Sequence, residues 1–281
     1  MEMINMFIDT HTHMDHKRFD SERNSILQLT KECGITKLIN PAIDYESNYS
    51  MRSKLDSYDW IYYGVGLHPN CVGTEAANDE EWERGLKLLA TTDNERVVAV
   101  GETGLDFHRL RFDTDDFDEE GVIKIKRQYK WFRNQLDLSA NRELPLILHI
   151  RDAHKEAIMI LKEYEDKLLS DVKGVVHCFT GNYEDALEYI NMGYMIGIGG
   201  VLTYSQNEEL RKIVKRIPLE SIVLETDSPY VMPERTPAFK GKRNMPNTIP
   251  YIAGIVAELK GISVEEVEQV TTENAKRLFK L

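Results

Sequence analysis

Cysteine is scarce in this sequence. Cys33, Cys71 and Cys178 are scattered over 281 residues without a CxxC pair, which excludes a disulfide framework and a thiolate zinc site and fits a reducing compartment. Long apolar runs are also missing. No stretch approaches the roughly 18 residues that span a bilayer. The opening MEMINMFIDTHTH has no long apolar core behind a basic region, so no secretory signal is read there. Positive charge is in deficit, with 35 Lys plus Arg against 47 Asp plus Glu for a formal charge of −12. That balance argues against a protein that coats nucleic acid through its overall field, while leaving room for a local cationic groove. There is no GxGxxG after the first strand, no Gly/Ser linker and no internal repeat. These absences predict a soluble, cytoplasmic, monomeric protein without a membrane partner, and one domain over residues 1–281.

What is present is a regular alternation. Hydrophobic residues make up 42% of the chain, enough for a sizeable core. Near-continuous apolar runs, as expected of parallel strands covered on both faces, fall at Met6–Asp9, Lys37–Asn40, Ile61–Gly66, Val97–Glu102, Leu146–Ile150, Gly174–His177, Met195–Ile198 and Ile222–Glu225. Segments of helical period lie between them, around Ser21–Cys33, Glu46–Leu55, Glu80–Ala90, Lys124–Arg142, Lys155–Leu168, Tyr183–Met192, Glu208–Arg216 and Thr248–Leu259. Eight strands each followed by a helix predict an α/β fold, a TIM (β/α)8 barrel rather than a doubly wound open sheet. Ser263–Leu281 reads as further helix, with Ser263 its N-cap.

The unusual polar residues sit at the strand ends. His11 and His13 close the first strand two residues apart, so in extended chain they point the same way and can grip one ion. Glu102 ends the fourth strand, His149 the fifth, His177 the sixth and Asp227 follows the eighth. A lone histidine at a strand end is more often a hydrogen-bonded rim residue, and a lone aspartate more often a cap. In a barrel, however, these ends converge on the face that carries the active site. Six ligands without a thiolate exceed what one tetrahedral catalytic ion needs. The pattern therefore predicts two divalent ions, His11, His13 and Asp227 holding one, His149 and His177 the other, and Glu102 bridging. Such a pair acidifies a shared water and suits hydrolysis, most naturally of a phosphoester. Asp227 serves either as general base or as ligand only; the sequence leaves both open.

Cations near this face suit an anionic substrate. Arg151 follows His149, and the segment Pro233–Arg243 carries Arg235, Lys240, Lys242 and Arg243 against Glu234. Phosphate clamping by Arg151, Arg235, Lys242 and Arg243 competes with a plain solvated basic loop. His68, at the end of the third strand, is expected to contact substrate. His16, His108 and His154 are read as ordinary loop or helix-start residues. The Cys178 side chain is expected to alternate away from His177 into packing.

Six ordered segments resemble the TatD family of metal-dependent hydrolases within the amidohydrolase-like barrels: Phe7-Ile8-Asp9-Thr10-His11-Thr12-His13, Gly66-Leu67-His68-Pro69, Gly101-Glu102-Thr103-Gly104-Leu105-Asp106, Leu144-Pro145-Leu146-Ile147-Leu148-His149-Ile150-Arg151-Asp152-Ala153, His177-Cys178-Phe179-Thr180-Gly181 and Glu225-Thr226-Asp227-Ser228-Pro229-Tyr230. The resemblance implies a TIM-type barrel with the same six metal ligands. It puts Glu102 in the bridging role that a modified lysine fills in other amidohydrolases. It further implies a magnesium-dependent deoxyribonuclease, a 3′-to-5′ exonuclease on single-stranded DNA. Imidazole-rich ligation itself favours zinc, manganese or cobalt, whereas magnesium prefers oxygen.

Two departures stand out. Arg243-Asn244-Met245-Pro246 replaces the family's Arg-Asn-Glu-Pro, and the loop after the fourth strand carries Asp113, Asp115, Asp116, Asp118, Glu119 and Glu120, which would repel a phosphate backbone if ordered over the face. Competing expectations are a hydrolase of small esters or amides, such as an aminoacyl-tRNA deacylase, and a non-catalytic metal-bound interaction protein. The complete ligand set disfavours the last.

Overall fold

The structure, a computed structural model, describes residues 6–74, 78–91, 95–108, 110, 119–168, 170–234 and 243–281. Eight strands, β1 (Phe7–Asp9), β2 (Ile35–Pro41), β3 (Ile61–Val65), β4 (Val97–Asp106), β5 (Leu146–Arg151), β6 (Gly174–His177), β7 (Tyr194–Ile198) and β8 (Ile222–Leu224), pair in chain order, each parallel to the next. Backbone hydrogen bonds then join β8 back to β1. Thr10 N–H donates to Leu224 O at 3.0 Å, Asp227 N–H to His11 O at 2.8 Å and His13 N–H to Ser228 O at 2.8 Å. The result is the TIM barrel that the alternation of elements predicts.

The strands are followed in turn by α1 (Arg23–Glu32), α2 (Ser47–Leu55), α3 (Asp79–Thr91), α4 (Glu119–Arg142), α5 (His154–Glu163), α6 (Tyr183–Asn191), α7 (Glu208–Arg216) and α8 (Ile249–Lys260), and then by α9 (Val264–Phe279). Ser263 caps α9, its side chain accepting from Glu266 N–H. Among the described residues no helix is long and apolar enough to cross a membrane.

Period-two alternation divides the buried side chains into two layers. Ile8, Ile39, Ala99, Ile147, Val175, Met195 and Val223 fill the barrel interior, with Ala275, Leu278 and Phe279 of α9 packed against them. The opposite strand faces pack against the surrounding helices in a larger cluster. Two residues beyond an interior residue stands a polar one at the strand's C-terminal end. Ile147 is followed by His149, Val175 by His177 and Val223 by Glu225. The pleat itself thus aims these groups at one face.

β4 is longer than its apolar run. The sequence stops at Glu102, where polar residues and glycine resemble a loop, whereas the strand continues to Asp106 by pairing Gly104 with His149 and Asp106 with Arg151 of β5. Gly104 has φ +142°, and a Cβ there would sit 2.1 Å from His149 O, so only glycine lets the strands run this close. α4 starts earlier than its expected Lys124 and takes Glu119 and Glu120 into its first turn, where acids complement the helix dipole. The expectation for Asp113, Asp115, Asp116 and Asp118 falls outside the described residues.

α4 also holds the loops above β3 and β4. Its buried Gln135 accepts from Leu67 N–H (2.8 Å) and donates to Leu67 O (3.1 Å); its buried Gln128 accepts from Asp106 N–H (2.8 Å) and donates to Asp106 O (3.0 Å). Arg127 donates to Val72 O through Nε (3.1 Å) and Nη2 (2.7 Å) and forms a two-pronged pair with Asp79 at 2.6 and 2.7 Å, with Lys130 adding a contact at 2.6 Å. The Arg127 hydrogen bonds, against the opposing effect of burial, hold the Asp79 carboxyl down to about 2.

Two outcomes follow from this helix. Gln128→Leu strands the Asp106 peptide groups without partners and costs about 2 kcal/mol in urea unfolding; an unchanged midpoint would show that water replaces the amide. Because the Asp79 carboxyl is depressed in the fold, its stabilisation is complete above about pH 4 and fades as pH falls toward about 2. The melting-temperature gap between the parent protein and Asp79→Asn should therefore be widest near neutrality and narrow between about pH 4 and pH 2. A gap that stays constant over that range would assign the effect to packing instead.

Candidate metal centre and active site

The C-terminal barrel face opens into a cleft of about 500 Å³ whose lining includes His13, His68, Glu102, Asp106, His149, Arg151, His177, Cys178, Asp227 and Tyr230. At its floor the Glu102 carboxylate is divided between two donor sets. Glu102 Oε2 lies 3.4 Å from His11 Nε2 and 3.7 Å from His13 Nε2. Those two nitrogens are 3.2 Å apart, and Asp227 Oδ1 stands 3.4 Å from His13 Nε2 and 3.8 Å from His11 Nε2. Glu102 Oε1 lies 3.0 Å from His149 Nδ1 and 2.8 Å from His177 Nε2, which are 3.2 Å from each other.

Local chain geometry explains these directions. His149 and His177 are register partners on β5 and β6. His11 and His13 are two residues apart in extended chain beyond β1, and Asp227 is drawn to them by its backbone bond to His11. Beneath this seam, the buried Asp9 carboxylate accepts from Thr226 N–H at 3.0 Å and from Thr226 Oγ1 at 2.6 Å. Asp227 itself has φ +53°, a left-handed conformation that turns its carboxylate from the strand path into the cleft.

The site concentrates charge out of water. Glu102 is only 3% exposed. Burial opposes its ionisation, yet the surrounding imidazoles, His177 foremost, hold it well below the usual carboxylate range. Burial likewise disfavours protonated His177, but Glu102 and then Glu225 carry its pKa well above the ordinary value. For Asp227, burial is outweighed by His13 and His11, and the pKa falls.

Donor chemistry and spacing fit divalent cations. Two nitrogens bound to one ion at about 2.1 Å are themselves about 3.0–3.4 Å apart; the pairs His11/His13 and His149/His177 both fall there. Each set offers thiol-free N and O donors, buried except for the partly exposed His149 and Asp227. His11 Nδ1 and His177 Nδ1 are buried without a hydrogen-bond partner, while the Nε2 of each ring faces Glu102.

Supporting residues that the sequence reading did not single out complete the second layer. Asp106 Oδ2 lies 3.1 Å from His149 Nε2 and also accepts from Asn70 Nδ2 at 2.7 Å. It therefore fixes His149 so that Nδ1 faces Glu102. Burial resists its charge, but the His149 contact takes Asp106 down to about 2. Glu225 Oε1 stands 3.7 Å from His177 Nδ1. Room for it comes from Gly197, where a Cβ would meet Glu225 Oε2 at 2.5 Å. A longer β4 and continued alternation along β8 were the available signals for both acids.

His68 reaches the cleft, its Nε2 3.6 Å from Glu102 Oε1. Its Nδ1 accepts from Asn70 N–H at 3.1 Å, which leaves the ring proton on Nε2. Burial and neighbouring His149 lower its pKa to about 3, so the ring is neutral and presents an N–H, not a lone pair, to the centre. Arg151 lines the cleft. Arg243 does not reach its lining: the guanidinium donates to Arg18 O and to Glu22 at 2.5 Å each and lies over Phe19. Arg235, Lys240 and Lys242 lie outside the described residues. Cys178 departs from its expected packing role. Its φ of +45° breaks the strand alternation and turns it to the cleft, where burial pushes its thiol pKa well up and keeps it inert. His16 caps a short turn, His108 Nδ1 meets Asp152 at 2.9 Å, and His154 meets the Tyr189 hydroxyl at 3.2 Å; none of the three is among the cleft-lining residues.

Comparison with known proteins agrees with this geometry. Residues 8–280 match the family described as TatD related DNase. The metal-dependent hydrolase YabD of Bacillus subtilis is 33% identical over 98% of this chain and 100% of its own length. The 3′-5′ ssDNA/RNA exonuclease TatD of Cronobacter sakazakii is 33% identical over 93% of both chains. Among solved structures, the TatD homologue YjjV of Escherichia coli superposes with a TM-score of 0.85 at 31% identity, covering 99% of this chain and 100% of its own. With its barrel, its clustered imidazoles and carboxylates and matches of this extent, the chain belongs to the TatD family of metal-dependent hydrolases.

Proposed function

We propose that this protein is a divalent-metal-dependent phosphodiesterase that removes nucleotides from the 3′ ends of DNA, with two cations per chain. One observation carries the reading: the two oxygens of Glu102 each face a separate donor set, His11, His13 and Asp227 on one side and His149 and His177 on the other. Divalent cations, when bound there, supply Lewis acidity that polarises a phosphoryl oxygen and acidifies water.

The chain's own groups perform the remaining tasks. Glu102 joins the two sets and fixes their separation. The Asp227 carboxylate, 15% exposed where that of Glu102 is 4% exposed, faces the cleft and is the acceptor for the proton of the attacking water. Neutral His68 donates its Nε2–H to a phosphate oxygen as charge develops there. Arg151, at the cleft wall, orients the phosphate by its guanidinium. The similarity to an exonuclease named for single-stranded DNA and RNA supports a nucleic-acid substrate.

The reading is tested with chelator-stripped protein on a labelled single-stranded oligonucleotide, magnesium, manganese and zinc being restored separately. Stepwise shortening from the 3′ end is expected. Cleavage of a p-nitrophenyl ester with the oligonucleotide untouched would move the enzyme to the ester hydrolases. Glu102→Gln should lower bound metal, read by mass spectrometry, and reduce turnover more than a hundredfold, on the order of losing a key electrostatic group, while circular dichroism stays native. His68→Asn should lower kcat by about a hundredfold with metal content unchanged; a parallel loss of metal would make His68 a ligand instead.

A further inference from the structure

Tyr230 is one of the few large hydrophobic side chains on the described surface, 39% exposed, and it stands at the lip of the metal cleft. Isolated exposed aromatics are ordinary on protein surfaces. This one is held in place. Its N–H donates to Asp227 O at 2.8 Å, tying it to the turn that delivers the Asp227 carboxylate. Its ring meets His13 at 5.9 Å and His16 at 5.6 Å between centroids, both nearly perpendicular to it at 72° and 74°. Two imidazoles thus brace the ring and fix its plane, and exposed surface remains toward the cleft.

The neighbouring groups match a polyanion strand. His16 Nδ1 accepts from Arg18 N–H at 3.0 Å, so its proton sits on Nε2 as a donor. Lys17 and Arg18, the next two residues of the chain, are exposed. Of the nearby acids, Asp15 accepts from Asn40 Nδ2 at 3.0 Å and Asp20 from Arg23 Nη2 at 2.5 Å. A rigid aromatic face beside cationic donors is the combination that receives unstacked bases, because any base offers a π-face and a base inside a duplex has both faces covered by its neighbours.

Resting on the phosphodiesterase reading, we propose that Tyr230 is a stacking platform for the nucleobase next to the scissile phosphodiester, and that this platform selects single-stranded ends. Tyr230 acts on substrate position, not on the reacting atoms. His16 and Arg18 meet the phosphate that follows the stacked base.

The test crosses a change in the protein with a change in the substrate. Short oligodeoxynucleotides carrying one abasic site, walked position by position from the 3′ end, are turned over by the parent protein, Tyr230→Ala and Tyr230→Trp with manganese. At one position the missing base should cost the parent protein about tenfold in kcat/KM, chiefly through KM, as expected of one base–aromatic stack. Tyr230→Ala should already be about tenfold weaker on the intact strand and lose nothing more at that position, while Tyr230→Trp keeps the dependence. Equal abasic penalties in the parent protein and in Tyr230→Ala at every position would overturn the platform and leave the phosphodiesterase intact. Failure of the parent protein to cut any oligonucleotide would instead overturn the phosphodiesterase reading, and the platform with it.

Discussion

One carboxylate, buried among imidazoles, sets the constraints on this molecule. A charged group with almost no access to water is costly unless opposite charge surrounds it. Glu102 is surrounded on both sides, its two oxygens directed at different nitrogen pairs. Those nitrogens come from β5, β6 and the extended chain past β1, and the carboxylate from β4, so four parts of the barrel must agree in register for one group to be tolerated. Such a carboxylate contributes little to stability by itself. It specifies a binding event for which the rest of the fold has been arranged.

That arrangement is a division of labour between pleat and helix. Alternation along the strands delivers His149, His177 and Glu225 without special local geometry, since each stands two residues beyond an interior aliphatic. Asp106, the last paired residue of β4, and His68, in the loop after β3, are held by α4, whose Gln128 and Gln135 satisfy the backbone of Asp106 and of Leu67 beside His68. Buried amides do this work well because each both donates and accepts, so a peptide unit can be gripped at both of its polar groups.

The barrel and the converging histidines were legible in the sequence for a physical reason. Parallel strands covered on both faces read as unbroken apolar runs, and a polar residue ending such a run is conspicuous. The same rule hid Asp106: Gly104 and Thr103 look like loop, and only pairing with β5 keeps that stretch extended. Cys178 shows the limit of alternation, because a left-handed residue after the strand redirects a side chain that period two would bury. Arg243 illustrates a different limit. A basic residue in a segment near the site looks like a phosphate clamp, but its charge is taken up by Glu22 and a backbone carbonyl. Composition reports how many cations there are, not which are already engaged.

The closing seam of the barrel has a consequence for how the protein matures. His11 and His13 lie near the start of the sequence and Asp227 more than two hundred residues later, and the bonds that join β8 to β1 are the bonds that bring these three together. During synthesis the early histidines must wait for the last strand. A half-made or unzipped chain has neither a closed barrel nor this cluster of side chains, so the grouping arrives with closure and is lost with it.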